Sequence, residues 1–136
     1  MTAHEVTKCN DPIIRIYEKS CPSLSKRSIL TYEVGVRESE GTLHLRVIGN
    51  TGRGNWSKGW VCGRRIDGAV INQDCLNGKK FHELQEGKSR NTGGFILAAL
   101  FNIGLVRKRG ARFYEHIPGT NFKKVLEIRL REEKAR

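Results

Sequence analysis

The first strong pattern along the chain is alternation. Leu30, Tyr32, Val34 and Val36 alternate with Thr31, Glu33, Gly35 and Arg37, the period of a strand buried on one side. Leu43, Leu45 and Val47 alternate in the same way with His44, Arg46 and Ile48. The polar stretch Glu38-Ser39-Glu40-Gly41 lies between the two runs, which together predict a β-hairpin. Residues 60–66 read as a third strand and extend the hairpin to a meander. Residues 49–55 are then its second turn, where Gly49, Gly52 and Gly54 argue against a helix. Upstream, residues 12–17 read as a short edge strand, with Pro12 tolerated at its first position. Residues 21–28 read as a loop and residues 1–11 as a flexible arm.

The period changes in the second half. Residues 79–86 fit a short helix with Phe81 and Leu84 on one face, and Gly87 stands where a C-cap belongs. Residues 91–103 fit a longer one, with Asn91 or Thr92 as N-cap. From Phe95 to Ile103 this segment is apolar on nearly every side, which predicts a buried helix; Gly104 ends it. Beyond it, residues 112–117 and 122–131 read as two arms of a hairpin across Pro118-Gly119. The alternation of Leu126, Ile128 and Leu130 favours a strand in the second arm; a C-terminal helix is the competing reading. Residues 132–136 read as a frayed tail. The expected fold class is α+β: a small antiparallel β-meander packed on one buried helix, with a C-terminal β-hairpin, in a single basic domain spanning residues 1–136.

Composition narrows the function classes. At 38% hydrophobic residues there is material for a core, and no run approaches the ~20 apolar residues of a membrane span. No apolar leader follows Met1, so a cytoplasmic protein without membrane association is expected. Cys9, Cys21, Cys62 and Cys75 are far apart in sequence, as are the four histidines. Structural metal sites gather ligands in close pairs, so neither a metal nor any cofactor is expected, and reduced thiols are expected in place of disulfides. Gly49-x-x-Gly52-x-Gly54 lacks the Lys-Ser/Thr ending of a phosphate-binding loop and leads into a predicted strand, not a helix. With no nucleophile elbow and no His–carboxylate spacing that signals acid–base chemistry, the chain reads as a binding protein, not an enzyme.

Charge is the dominant chemical signal. Lys and Arg total 25 against 14 acidic residues, a net charge of +11, which attracts polyanions and speeds their capture. Arg53, Trp56 and Lys58, continuing to Trp60, Arg64 and Arg65, interleave cations with indoles. Such a strip can follow a sugar-phosphate backbone while an indole stacks on a base; the competing reading puts both tryptophans in the core. From Lys88 to Arg112 there are six basic residues (Lys88, Arg90, Arg107, Lys108, Arg109, Arg112) and no acidic one.

Within residues 79–117 the order is short helix, Gly-Lys-Ser turn, helix, then Leu100-Phe101-Asn102-Ile103-Gly104-Leu105-Val106, Arg107-Lys108-Arg109-Gly110 and Arg112-Phe113-Tyr114. This resembles the second half of a winged helix-turn-helix domain. The resemblance implies that Ser89, Arg90, Asn91 and Thr92, at the helix start, face DNA, and that Arg107, Lys108, Arg109 and Arg112 hold phosphates. The expected function is therefore a non-enzymatic basic protein that binds nucleic acid, DNA or RNA, or a nucleoprotein complex through phosphate-backbone contacts. The alternative is a protein–protein module that docks an acidic protein partner. The sequence leaves the oligomeric state open.

Overall fold

A computed structural model describes residues 12–84 and 91–135. Its larger sheet is a four-stranded antiparallel meander in the order β1-β2-β3-β4, formed by β1 (Ile13–Pro22), β2 (Ile29–Arg37), β3 (Thr42–Asn50) and β4 (Val61–Cys62). Alternation sets which side is buried. Leu30, Tyr32 and Val34 of β2 and Leu45 of β3 are fully buried, and Val47 nearly so. The β2–β3 turn falls at residues 38–41, with Gly41 N–H donating to Arg37 O at 2.8 Å, as the pattern requires.

The edge strand β1 is longer than the expected 12–17. It continues through Cys21, which pairs with Leu30 and is buried, to Pro22. A proline at the end of an edge strand forfeits no ladder bond that the sheet needs. A bulge at Ile16 lets Arg15 and Tyr17 pair with consecutive residues, Gly35 and Val34, and brings Tyr17 to the buried side.

The expected third strand over 60–66 is mostly replaced. Only Val61 and Cys62 pair with β3, and α1 (Gly63–Val70) follows at once. Gly63, Ile66 and Val70 share its buried face, a helical spacing that the neighbouring alternation hides. Residues 78–84 are helical, but as a 3-10 segment (Gly78–Leu84) and not an α-helix; Phe81 and Leu84 are buried as expected. The expected cap at Gly87 lies outside the described residues, as does the arm at 1–11.

Helix α2 (Asn91–Ile103) ends where the pattern places its C-terminus. Ile96, Leu97, Ala98, Ala99, Leu100 and Ile103 are buried. It lies between the sheet and the 3-10 segment. Gly104, at φ +98°, ends it in the left-handed conformation that glycine adopts without strain. Leu105 N–H then donates to Leu100 O at 3.0 Å, closing the last turn. A hairpin of β5 (Val106–Arg109) and β6 (Phe113–His116) follows.

Residues 122–131 are not the second arm of a hairpin. They belong to α3 (Phe122–Lys134), which also carries the expected frayed tail as far as Lys134. Asn121 caps α3 by accepting from Lys124 N–H at 2.9 Å, and Asp67 of α1 accepts from Phe122 N–H at 2.9 Å. Phe122, Val125 and Leu126 form its buried face. Arg129 donates from Nε to Ile103 O at 2.9 Å, placing a cation on the C-terminal carbonyls of α2 where the helix dipole favours it.

Candidate nucleic-acid interface

Arg107, Lys108, Arg109 and Arg112 are all exposed, but the hairpin divides them. Residues directly opposite in a ladder share a face, and successive residues alternate. Arg107 pairs with Glu115, Lys108 with Tyr114 and Arg109 with Phe113. Arg107, Arg109 and Glu115 therefore stand on one face, and Lys108 stands with Tyr114 on the other. Arg107 donates from Nε to Glu115 Oε2 at 2.7 Å, and Arg109 Nε lies 3.8 Å from Glu115 Oε1. Arg109 also reaches across to donate to Asp74 O at 2.9 Å, with the Asp74 carboxylate 3.6 Å away. Lys108 on its face and Arg112 at the turn have no acidic partner among the described residues.

The hairpin is fastened to the body at several points along β6. Leu76 and Tyr114 exchange both backbone hydrogen bonds at 2.8 Å. His116 fixes the far end, with Asn72 N–H donating to its Nδ1 at 3.2 Å and its Nε2 2.7 Å from Thr120 O. The cations thus project from a braced ribbon.

The start of α2 is used differently from what the winged helix-turn-helix resemblance implies. Thr92 is buried, and its hydroxyl accepts from Ser57 N–H at 2.9 Å. Asn91 donates from Nδ2 to Asn55 O at 3.0 Å. Both residues tie the glycine-rich loop to the helix, Thr92 from a buried and Asn91 from a half-buried position, and neither is the N-cap expected, since both are already helical. Lys88, Ser89 and Arg90 lie outside the described residues. The face of α2 toward the sheet is closed as well: Cys21 Sγ lies 4.0 Å from Ala98 O, Tyr32 donates to Asn102 Oδ1 at 2.7 Å, and Phe95 packs against Trp56. With its start and its sheet side engaged in this way, α2 presents no run of polar side chains for base edges in a groove.

The expected strip of cations and indoles is also taken apart. Trp56 is half-buried, donates from Nε1 to Val47 O at 2.8 Å and carries the Lys58 ammonium 4.8 Å from its ring centre. Trp60 lies on the opposite side of the sheet, under the Arg46 guanidinium at 4.2 Å. Arg64 and Arg65 belong to α1, where Arg65 donates to Leu84 O. Arg53 is exposed in the loop. The two indoles share no face because residues 54–60 are not a strand.

Beside Lys108 lies a pocket of about 320 Å³ that sequence reasoning missed. Cys21, Lys26, Phe101, Asn102, Lys108 and Tyr114 are among its walls. These residues come from four elements and a loop, so no local motif announces them. Phe101 is 45% exposed, the one large side chain of α2 left open, and its ring meets Tyr114 edge-on with centroids 5.3 Å apart. Burial pushes the Cys21 thiol up to about 11 and raises the Tyr114 hydroxyl above its ordinary value, so both stay protonated at neutral pH.

Cys21, Cys62 and Cys75 are free thiols. Among the described residues no three His, Cys, Asp or Glu side chains gather as a metal site would need, and no helix is long and apolar enough to cross a membrane. In comparison with known proteins, no family model, curated protein or solved structure matches the sequence.

Proposed function

We propose that this chain is a non-enzymatic basic protein that binds nucleic acid through phosphate-backbone contacts, with the β5–β6 hairpin as the principal contact surface. The observation that carries the reading is the contrast within that hairpin. Arg107 and Arg109 share Glu115 and Asp74, whereas Lys108 and Arg112 are exposed cations without an acidic partner among the described residues. Unpaired cations on a braced ribbon, in a chain of net charge +11, favour a polyanion and need little ordering on contact. The order of 3-10 segment, α2, β5 and β6 supports a wing-like use of the hairpin. The engaged start and sheet side of α2 favour backbone contact over base reading. The free thiols fit a reducing setting, and we read the protein as cytoplasmic.

The test is a titration of duplex and single-stranded oligonucleotides at several salt concentrations. Replacing Lys108 and Arg112 together by Ala should weaken binding and flatten the salt dependence by about one phosphate contact per cation removed. Replacing Arg107 alone should do less, because its charge is already compensated. Unchanged nucleic-acid affinity in the double variant would overturn the reading, and retention of an acidic protein by the parent but not by the variant would establish the docking alternative.

A further inference from the structure

The pocket beside Lys108 combines three features that seldom meet on a solvated surface. Its floor is aromatic, formed by the open Phe101 ring and by Tyr114. Lys26 and Lys108, two cations without acidic partners among the described residues, stand in its wall. Its polar groups are also unused: Asn102 accepts from Tyr32 through Oδ1, which leaves its Nδ2 donor free, and the Tyr114 hydroxyl has no partner among the described residues. At about 320 Å³ the volume stands at the lower end of the ~300–1,000 Å³ that small-ligand pockets occupy.

The position of Lys26 is fixed by its loop. It is held at φ +64°, a conformation that a lysine rarely adopts. The loop imposes this, since Ser23 N–H donates to Ser28 O and Lys26 N–H to Ser23 O, both at 2.9 Å. Glycine or asparagine would satisfy the backbone better. The lysine that occupies this strained position stands in the pocket wall.

We propose that this pocket receives one unpaired nucleotide of a single-stranded nucleic acid, its base against Phe101 and Tyr114 and its phosphate between Lys26 and Lys108. The inference rests on the nucleic-acid reading of the hairpin and makes it specific. An aromatic floor accepts the face of any base, and the flanking cations track the backbone. Asn102 Nδ2 and the Tyr114 hydroxyl offer hydrogen bonds to a base edge. A base inside a duplex is stacked between its neighbours and does not reach such a floor without being extruded.

The experiment compares a fluorescently labelled oligothymidylate with a duplex of equal length, using the full chain and two variants. Phe101→Leu keeps an apolar side chain against Tyr114 but removes the stacking ring. Lys26→Asn removes the charge while suiting the left-handed backbone, so melting temperatures should hold in both. Single-strand affinity should exceed duplex affinity in the parent, fall roughly tenfold in Phe101→Leu and severalfold in Lys26→Asn, and duplex affinity should stay unchanged. Equal affinity for both nucleic acids, insensitive to either variant, overturns the pocket while leaving backbone binding by the hairpin intact. No salt-dependent binding of either nucleic acid removes both. Photocrosslinking of a 5-bromouridine oligonucleotide to the unmodified protein supplies a readout independent of folding in the variants. Adducts on Phe101 or Tyr114 support the assignment, and adducts confined to other segments refute it.

Discussion

Gly93 in α2 lies directly against Gly78 in the 3-10 segment, so closely that a Cβ on Gly93 would collide with the Gly78 carbonyl oxygen. The neighbouring Gly94 is different, since a Cβ there meets only Leu24 Cδ1 at 3.9 Å, an ordinary contact. Two adjacent substitutions should therefore act in opposite directions. Gly93→Ala forces two backbones apart and should cost about 3 kcal/mol or more. Gly94→Ala gains helix propensity of about 0.5–1 kcal/mol without a clash. Urea denaturation of both variants decides the matter, and a common sign would mean that the packing of α2 on the 3-10 segment is misdescribed.

Leu97 and Leu100 are fully buried, whereas Phe101, one residue on, is nearly half exposed. Truncating either leucine to Ala leaves a cavity in the contact between helix and sheet and should cost about 2–5 kcal/mol. Phe101→Ala loses mainly the edge-on contact with Tyr114 and should cost clearly less. Denaturant midpoints of the three variants test this order.

These residues also show what a linear pattern can reveal. The inward sides of β2 and β3 were legible because one buried face imposes period two on Leu30, Tyr32 and Val34. Helix α2 was legible because its apolar run is too long for a strand. Phe101 was not, since no periodicity picks out one open position in a segment apolar all round. Helix α1 was hidden by the alternation around Val61 and by Gly63 and Gly68, which weaken intrinsic helix propensity; its place depends on distant partners such as Phe122 through Asp67. For α3 the cap at Asn121 and the spacing of Phe122, Val125 and Leu126 outweighed the alternation of Leu126, Ile128 and Leu130. In the candidate site the charges were visible, but their compensation was not. Arg109 finds Asp74 35 residues away, and Lys26 shares a pocket wall with Lys108 only because β1 and the hairpin converge.

His44 is buried in β3, with its Nε2 3.0 Å from Thr42 Oγ1. Burial lowers its pKa below the ordinary value of 6.5, Arg37 lowers it further, and Glu40 opposes. A histidine depressed in the fold contributes stability in full above the unfolded value. That contribution is lost as pH falls below 6.5 toward the folded value, because the unfolded chain takes up a proton that the native state resists. The melting temperature should thus decline between about pH 7 and about pH 5. His44→Gln, which retains a hydrogen-bonding side chain, should flatten that decline. Equal slopes in parent and variant would assign the acid sensitivity to other groups.

Glu115 offers a test of the proposed interface in which binding is strengthened rather than weakened. It is the acidic group that opposes Arg107 and Arg109 on the hairpin, at 2.7 and 3.8 Å. Partly exposed pairs of this kind contribute only about 0.5–1 kcal/mol to folding, so Glu115→Gln should leave the melting temperature almost unchanged. The substitution adds one unit to the net charge, frees the Arg107 guanidinium and removes one of the two carboxylates beside Arg109, on a ribbon still held by Leu76 and Tyr114. If phosphate contacts dominate, affinity for an oligonucleotide should rise severalfold at low salt, and the dependence on salt should steepen by about one to two phosphate contacts. The Asp74 carboxylate still opposes Arg109, so Arg107 should account for most of the gain. Adding Arg107→Ala to the variant should return affinity to near the parent value. An affinity that stays flat when Glu115 is neutralised would show that this face of the hairpin does not meet the polyanion, and would confine the contact to the side bearing Lys108 and the tip bearing Arg112.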